Sequence, residues 1–137
     1  MGGPEVIGLE EVALPPPGPG EARVRHTAIG LNFLDTYQRS GLYPLPALPS
    51  GLGSEAAGLV EAIGSGVSEV RPGQRVAYAG GPPGAYAEAR VLRAAQLVPL
   101  PDELDDERAA AALLKGMTAE YLLRRTYRVE PGQTVLF

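Results

Sequence analysis

Apolar and polar residues alternate in short runs over the first hundred residues, and glycine or proline separates one run from the next. Alternation with a period of two is typical of β-strands that bury one face, and the intervening residues are typical of turns. The strands predicted in this way are residues 5–13, 21–30, 55–64, 75–79, 86–92 and 96–100. Short strands spaced by turns favour an antiparallel barrel or sandwich.

Helical patterns occur in two places. Phe33 to Ser40 is predicted to be a short helix, with Asn32 as its N-cap and Asp35 in the first turn. After Pro101 the chain becomes rich in carboxylates and helix formers. We expect a helix start at residues 105–107, helical segments at 109–114 and 117–125, and a strand at 134–137 after a turn. The fold class predicted is mainly β with short helices, α+β.

Composition narrows the range of functions. The chain has 137 residues, a net charge of -4, no cysteine and one histidine, His26. That length suits one core-bearing domain, and the acidic balance argues against a nucleic-acid partner. Disulfides and thiolate metal sites are excluded, and a zinc site would depend on carboxylates. No apolar run approaches a membrane span, so we expect no membrane partner and a cytoplasmic location.

The segment from Gly30 to Gly66 carries the most specific pattern, GLNFLDTYQRSGLYPLPALPSGLGSEAAGLVEAIGSG. It resembles the substrate-site segment of the medium-chain dehydrogenase/reductase superfamily. Zinc alcohol dehydrogenases of that superfamily have a ligand Cys where Asn32 stands and a ligand His where Ser54 stands. Lys115, in LLKGMT, takes the place of the third ligand. The chain is therefore most similar to the zinc-free NADPH:quinone oxidoreductases related to zeta-crystallin.

This resemblance implies a GroES-like barrel catalytic domain over residues 1–125, with a further strand expected before Gly2. Residues 126–137 would be a linker and the first strand of a Rossmann domain, whose Gly-rich loop should follow. The implied cofactor is NADPH, the implied substrate a quinone or other conjugated carbonyl, and no metal is expected. The partners implied are the remainder of the Rossmann domain and, for a full-length enzyme, a second copy in a homodimer.

The same resemblance assigns roles to individual residues. Asn32, Tyr37 and Tyr43 are the catalytic candidates, as groups that position nicotinamide or substrate. The residues expected to bind the cofactor are Asn32, Phe33, Leu34, Asp35, Thr36, Tyr37, Lys115, Thr118 and Tyr121. Glu55 is expected to have a structural role through hydrogen bonds or an ion pair, because the His of the zinc motif is absent.

The residues alone leave simpler interpretations open. Asn32 suits a plain helix cap, Tyr37 and Tyr43 suit packing, and Lys115 suits a helix end. His26 is expected to be a surface or packing residue. For the function, reduction of enoyl or acryloyl thioesters remains an alternative within the superfamily. A non-catalytic GroES-like binding or structural module is the alternative from another class.

Overall fold

The computed structural model describes residues 1–136, which form a five-stranded antiparallel sheet and two α-helices. The strands are β1 (Glu21–Gly30), β2 (Glu55–Ile63), β3 (Arg75–Ala79), β4 (Ala89–Arg93) and β5 (Val98–Pro99), and the helices are α1 (Phe33–Ser40) and α2 (Asp106–Glu120). The predictions for β1, β3 and α1 are confirmed in both position and bounds, and β2 ends one residue earlier than predicted.

The sheet is strongly curled. Its strand order is β4-β1-β2-β3-β5, so β4 and β5 lie at opposite edges. A flat sheet of five strands would hold those edges about 19 Å apart, at about 4.8 Å per strand. Residues 94–97 alone connect the two strands, and a 3₁₀ turn, Ala94–Gln96, shortens this link further. A link of that kind spans roughly 13 Å, so the sheet must curl into the barrel shape that the sequence predicted.

Two apolar clusters hold the sheet, one on each face. The larger cluster includes Val24, Val60, Val76 and Tyr78. The smaller one consists of alanines from β2, β3 and α2, which lets the helix backbone approach the sheet closely: Ala57, Ala77, Ala109 and Ala110. Because β2 is covered on both faces at residues 55–58, residues 56–58 are all small and apolar instead of alternating with polar residues.

At Gly58 the backbones of β1 and β2 approach each other closely. A Cβ atom at this position would collide with the carbonyl oxygen of Arg25 on β1. The register between β1 and β2 also shifts at this point, between His26 and Ala28. Such a bulge bends the strand and increases its local twist just before the residues that lead to Asn32.

Several predicted elements differ from the observed ones. Residues 5–13 do not form a strand: after a 3₁₀ turn, Pro4–Val6, the segment is irregular and exposed, because no neighbouring strand pairs with it in the described residues. The strands predicted at 86–92 and 96–100 are confined to β4 and β5. β4 begins only at Ala89, because the Tyr86 backbone nitrogen donates to the Leu52 carbonyl in a loop. The 3₁₀ turn Ala94–Gln96 delays the start of β5 to Val98.

The C-terminal part also differs. The helices predicted at 109–114 and 117–125 are one continuous helix, α2, which passes into a π-helical turn at Tyr121–Thr126. Gly116 therefore lies inside a helix, where good helix formers on both sides compensate for its low propensity. Residues 134–136 are not a strand, because no strand lies beside them in the described part, and Phe137 is outside the described residues. The domain boundary at residue 125 stays a prediction.

Across the described residues, no helix combines the length and the apolar character that crossing a lipid bilayer requires.

Candidate functional site

A buried carboxylate joins two of the residues that the sequence singled out. The side chain of Glu55, the first residue of β2, is fully buried. Its Oε1 accepts hydrogen bonds from Asn32 Nδ2 at 2.9 Å and from Lys115 Nζ at 2.6 Å, and its Oε2 accepts from the Leu114 backbone nitrogen at 2.8 Å. We call these four residues the Glu55 network. All three bonds are donated to the carboxylate, so each of its oxygens has a partner.

Local structure brings the network together from three elements. Asn32 occupies the N-cap of α1, directly after β1, as predicted. Lys115 lies on α2, and its ammonium also donates to the Leu31 carbonyl at 3.3 Å. Gly30 makes room for the carboxylate, because a Cβ atom there would collide with the Glu55 side chain and with the Ala110 carbonyl oxygen. The expectation that Glu55 has hydrogen bonds and an ion pair is confirmed.

The three positions of the zinc motif carry groups that are poor ligands for a metal. Asn32 presents an amide, Ser54 is a buried hydroxyl residue, and Lys115 is an ammonium that neutralises the Glu55 carboxylate. Zinc is held in proteins by thiolate, imidazole and carboxylate groups. Within residues 1–136, no three histidine, cysteine, aspartate or glutamate side chains cluster closely enough to hold a metal ion.

An aromatic row lies on the surface beside Asn32. The rings of Phe33 and Tyr37 are 6.4 Å apart and stacked, and the ring of Tyr43 meets Tyr37 edge-on at 5.5 Å. The exposed fractions are 79% for Phe33, 37% for Tyr37 and 56% for Tyr43. Aromatic rings of this size are normally buried, so an exposed row of three provides a surface for a flat or apolar partner. Tyr37 and Tyr43 thus contact each other, and Phe33 directly follows Asn32 in the chain, while the catalytic roles of Asn32, Tyr37 and Tyr43 stay predictions.

The other predicted cofactor residues divide into exposed and inward-facing groups. Thr118 and Tyr121 are exposed on and after α2, and the Thr118 hydroxyl donates to the Leu114 carbonyl at 2.8 Å. Leu34 and Thr36 are half-buried. Asp35 is only 3% exposed and points into the protein, so its side chain is not available on the surface. Sequence spacing alone does not reveal this, because it does not tell which face of such a short helix is buried.

A groove of about 540 Å³ runs along the end of β1 beside α2, and Lys115 forms one end of it. Five consecutive residues, 27–31, line one wall, and Glu107, Ala110 and Ala111 line the other. Asn32 and the aromatic row are outside the groove. Lys115 is therefore the residue shared by the groove and the Glu55 network, and its half-exposed ammonium faces both.

His26 is part of a hydrogen-bonded cluster apart from this site. Its Nδ1 lies 2.7 Å from the Ala87 carbonyl, which can only accept, so Nδ1 carries the proton and Nε2 accepts from the Tyr78 hydroxyl at 3.1 Å. Burial, and to a lesser degree the Arg90 charge, lower the pKa of His26, although the bond to Ala87 opposes them. The predicted packing role agrees with this environment.

Sequence reasoning missed Tyr86, which it placed only in a strand. The Tyr86 hydroxyl donates to Asp35 Oδ2 at 2.8 Å. Burial, then the hydrogen bond and the charge of Asp35, raise the pKa of Tyr86, so this hydroxyl remains a donor throughout the neutral range. The residues around Tyr86 in the sequence, Gly-Ala-Tyr-Ala, give no signal of a hydrogen bond to Asp35, fifty-one residues earlier in the chain.

Comparison with known proteins identifies the family. The family model of the alcohol dehydrogenase GroES-like domain matches residues 18–102, which is more than half of the chain. The chain belongs to this family. Among curated proteins, it is 60% identical over 136 residues to a quinone oxidoreductase of Pseudomonas aeruginosa, with 99% of this chain and 42% of that protein covered. It is 47% identical over 141 residues to a 2-haloacrylate reductase of Burkholderia sp, with 98% and 42% covered.

A solved structure of the same family agrees closely with the fold. The chain is similar to the Escherichia coli quinone oxidoreductase solved in complex with NADPH, with a TM-score of 0.93, 49% sequence identity, and coverage of 96% of this chain and 40% of that one. The resemblance to the quinone oxidoreductase branch, stated from Gly30–Gly66, is confirmed, and so is the GroES-like fold. The chain spans about 42% of the length of these curated relatives.

Proposed function

We propose that this GroES-like domain forms the substrate side of an oxidoreductase in which hydride passes from NADPH to a quinone or other conjugated carbonyl, without a catalytic metal. The Glu55 network carries this proposal: at the positions where zinc enzymes hold their ligands, an amide and an ammonium are fixed on one buried carboxylate. Support also comes from relatives named quinone oxidoreductases, one of them solved with NADPH.

The residues present fit the nicotinamide end of such a cofactor. Asn32 Nδ2 donates to Glu55, and the Asn32 side chain also faces the Asp35 backbone nitrogen in the capping box of α1, so the plane of the amide is fixed. An amide oxygen has two lone pairs, so Oδ1 keeps one with which to accept from a carboxamide NH₂ group. The aromatic row beside it offers a flat surface to a planar substrate and excludes water from it. The bound cofactor supplies the hydride, while these side chains bind and orient the reactants.

Lys115 completes the site with a positive charge. An ammonium has three donors, and two of them bond to Glu55 Oε1 and to the Leu31 carbonyl. The third is available on the half-exposed side, toward the cofactor or toward the oxygen that becomes negative as the carbonyl is reduced. The same charge repels a divalent cation. Substrates that conjugation has already activated suit this site, because it offers no Lewis acid for simple aldehydes.

The proposal is tested by steady-state kinetics on the protein expressed from its complete reading frame. We expect NADPH oxidation with 1,4-benzoquinone to exceed that with acetaldehyde by at least about 100-fold in kcat/KM, which is about 2.7 kcal/mol of transition-state stabilisation. Equal rates with the two acceptors would contradict the proposal. No oxidation of NADPH with any conjugated acceptor would instead favour a non-catalytic binding module.

A second candidate is reduction of an acrylate or a related enoyl group. The observation that favours it is the 47% identity to a 2-haloacrylate reductase. The carboxylate of such a substrate would find a cation in Lys115. Parallel assays with 2-chloroacrylate and 1,4-benzoquinone separate the two candidates, because Lys115→Met should reduce the rate with the anionic substrate more than the rate with the neutral quinone. The homodimer and the cytoplasmic location remain predictions.

A further inference from the structure

Asp35 is a buried carboxylate that the proposed reaction does not use. Its Oδ2 accepts two hydrogen bonds, from the Asn32 backbone nitrogen at 2.8 Å and from the Tyr86 hydroxyl at 2.8 Å. Its Oδ1 is buried and has no partner within the described residues. Asp35 is only 3% exposed, and one of its oxygens has no hydrogen-bond donor among these residues. The position of this carboxylate therefore depends strongly on the few donors that it has.

Tyr86 is itself fixed to the loop that leads into β2. Its backbone nitrogen donates to the Leu52 carbonyl at 2.8 Å. Its ring lies against Gly53, which has a φ of 89°, and a Cβ atom on Gly53 would approach ring atom Cδ1 to 2.5 Å. Glu55 follows two residues later. One tyrosine therefore contacts the loop that leads into the strand of Glu55 and, through Asp35, the first turn of the helix that Asn32 caps.

Asn32 is consequently held from two sides. The Glu55 carboxylate accepts from its side-chain amide, and the Asp35 carboxylate accepts from its backbone nitrogen. The first contact sets the plane of the amide, and the second sets the position of the backbone from which the side chain projects. Both are needed to aim the Asn32 amide, because a side chain whose backbone shifts cannot keep its hydrogen-bond geometry at both ends.

We propose that Tyr86 is a positioning residue of this site, which acts through Asp35 to fix the Asn32 amide where it meets the reacting end of the cofactor. This inference rests on the proposed function. Without the Tyr86 hydroxyl, the Asp35 carboxylate keeps one donor, the Asn32 backbone nitrogen, and its Oδ1 still has no partner in the described part of the chain. It then rotates toward water and releases the N-terminal turn of α1. The contacts of the remote parts of the cofactor are unaffected by this change.

The test uses Tyr86→Phe, Asp35→Asn and the double variant in the protein expressed from its complete reading frame, with Tyr127→Phe as the matched control. Tyr127 is 62% exposed and lies after the π-helical turn, outside the site. We expect Tyr86→Phe to lower kcat for 1,4-benzoquinone on the order of tenfold, with a smaller change in KM for NADPH. The double variant should be no slower than the slower single variant, because both changes break one connection.

A merely structural role predicts a different result. It would lower the melting temperature of Tyr86→Phe while kcat, measured well below that temperature, stayed equal to that of Tyr127→Phe. That result, or multiplicative effects in the double variant, would overturn the proposal.

A second measurement does not depend on activity. In the ¹⁵N-labelled protein, Tyr86→Phe should move the resonance of the Asn32 backbone amide, which donates to Asp35. It should also accelerate the hydrogen exchange of that amide by about tenfold, while Tyr127→Phe leaves both unchanged. An unchanged Asn32 amide in Tyr86→Phe would overturn the inference even if the enzyme is active. If the wild-type protein fails to reduce quinones, the proposed function fails, and the Asn32 amide still decides whether Tyr86 holds this residue.

Discussion

The ammonium of Lys115 lies 2.6 Å from Oε1 of Glu55, a carboxylate with no exposed side-chain surface. Sixty residues separate the two in sequence, and the pair joins α2 to the first residue of β2. Removing either partner of such a pair leaves the other without compensation, whereas a surface pair loses little. The contact therefore stabilises the domain and also holds a cation at the centre of the proposed site.

The first prediction concerns stability. Glu55→Gln keeps the shape of the side chain but replaces an acceptor oxygen with an NH₂ group, which opposes the donors Asn32, Leu114 and Lys115. We expect the free energy of unfolding to fall by about 2–4 kcal/mol, measured by urea denaturation. The matched control is Glu61→Gln on the same strand, where pairs with Arg23 and Arg25 are exposed and the loss should stay below about 1 kcal/mol. Equal losses of unfolding free energy in the two variants would show that the Glu55 network stabilises the domain no more than a surface ion pair does.

The second prediction concerns the aromatic row. The Tyr37 hydroxyl has no hydrogen-bond partner within residues 1–136, while its ring contacts both Phe33 and Tyr43. We expect Tyr37→Phe in the protein from its complete reading frame to lower kcat/KM for quinones about fivefold, because one hydrogen bond to a reactant is lost. Thermal stability should not change, since the ring remains. A kcat/KM equal to that of the wild type would make Tyr37 a packing residue only.

The third prediction concerns pH. The pKa of His26 is lowered in the folded protein, mainly by burial, so the neutral imidazole is favoured there. The stability that this group contributes is complete above the unfolded pKa of about 6.5 and is lost as the pH falls through the folded pKa below it. His26 is the only histidine, so one imidazole signal reports its titration in NMR. We expect a midpoint below about 6.5. A midpoint above that value would contradict the tautomer and the burial described for His26.

Stability measurements extend this prediction. Urea denaturation should show a lower free energy of unfolding for the wild type at about pH 5.5 than at about pH 7.5. His26→Gln should reduce this difference, because glutamine does not take up a proton.

The pKa of Asp106 is also lowered, chiefly by the hydrogen bond from Thr27 and also by Arg75, against the effect of burial. Its contribution is present above about pH 3.9 and is lost below that value, so it does not overlap the His26 window.

The sequence predicted β1, β3 and α1 because each has a clear period, and α1 also has a start signal in Asn32. It failed at 5–13, where the apolar pattern has no strand to pair with in the described residues. Pairing is a property of the whole sheet, and a local pattern does not contain it. The two helical segments predicted at 109–114 and 117–125 are one helix, because the helix formers on both sides of Gly116 compensate for its low propensity.

The candidate site shows the same limit. Asn32, Tyr37 and Lys115 were found because a short motif identifies them, and the structure brings Asn32 and Lys115 to one carboxylate. The connection from Tyr86 to Asp35 crosses fifty-one residues and depends on the direction of two side chains. Neither the hydrophobic periodicity of the sequence nor the spacing of its motifs predicts such a contact. Burial of Asp35 in a helix of only eight residues was equally hidden.

The most direct measurement of the central claim is NADPH-dependent reduction of 1,4-benzoquinone before and after prolonged dialysis against EDTA, using the protein expressed from its complete reading frame. The account predicts the same kcat/KM in both samples, because Asn32, Ser54 and Lys115 supply an amide, a hydroxyl and an ammonium where a zinc enzyme needs metal ligands. Loss of activity on EDTA treatment, with recovery on addition of Zn²⁺, would contradict it.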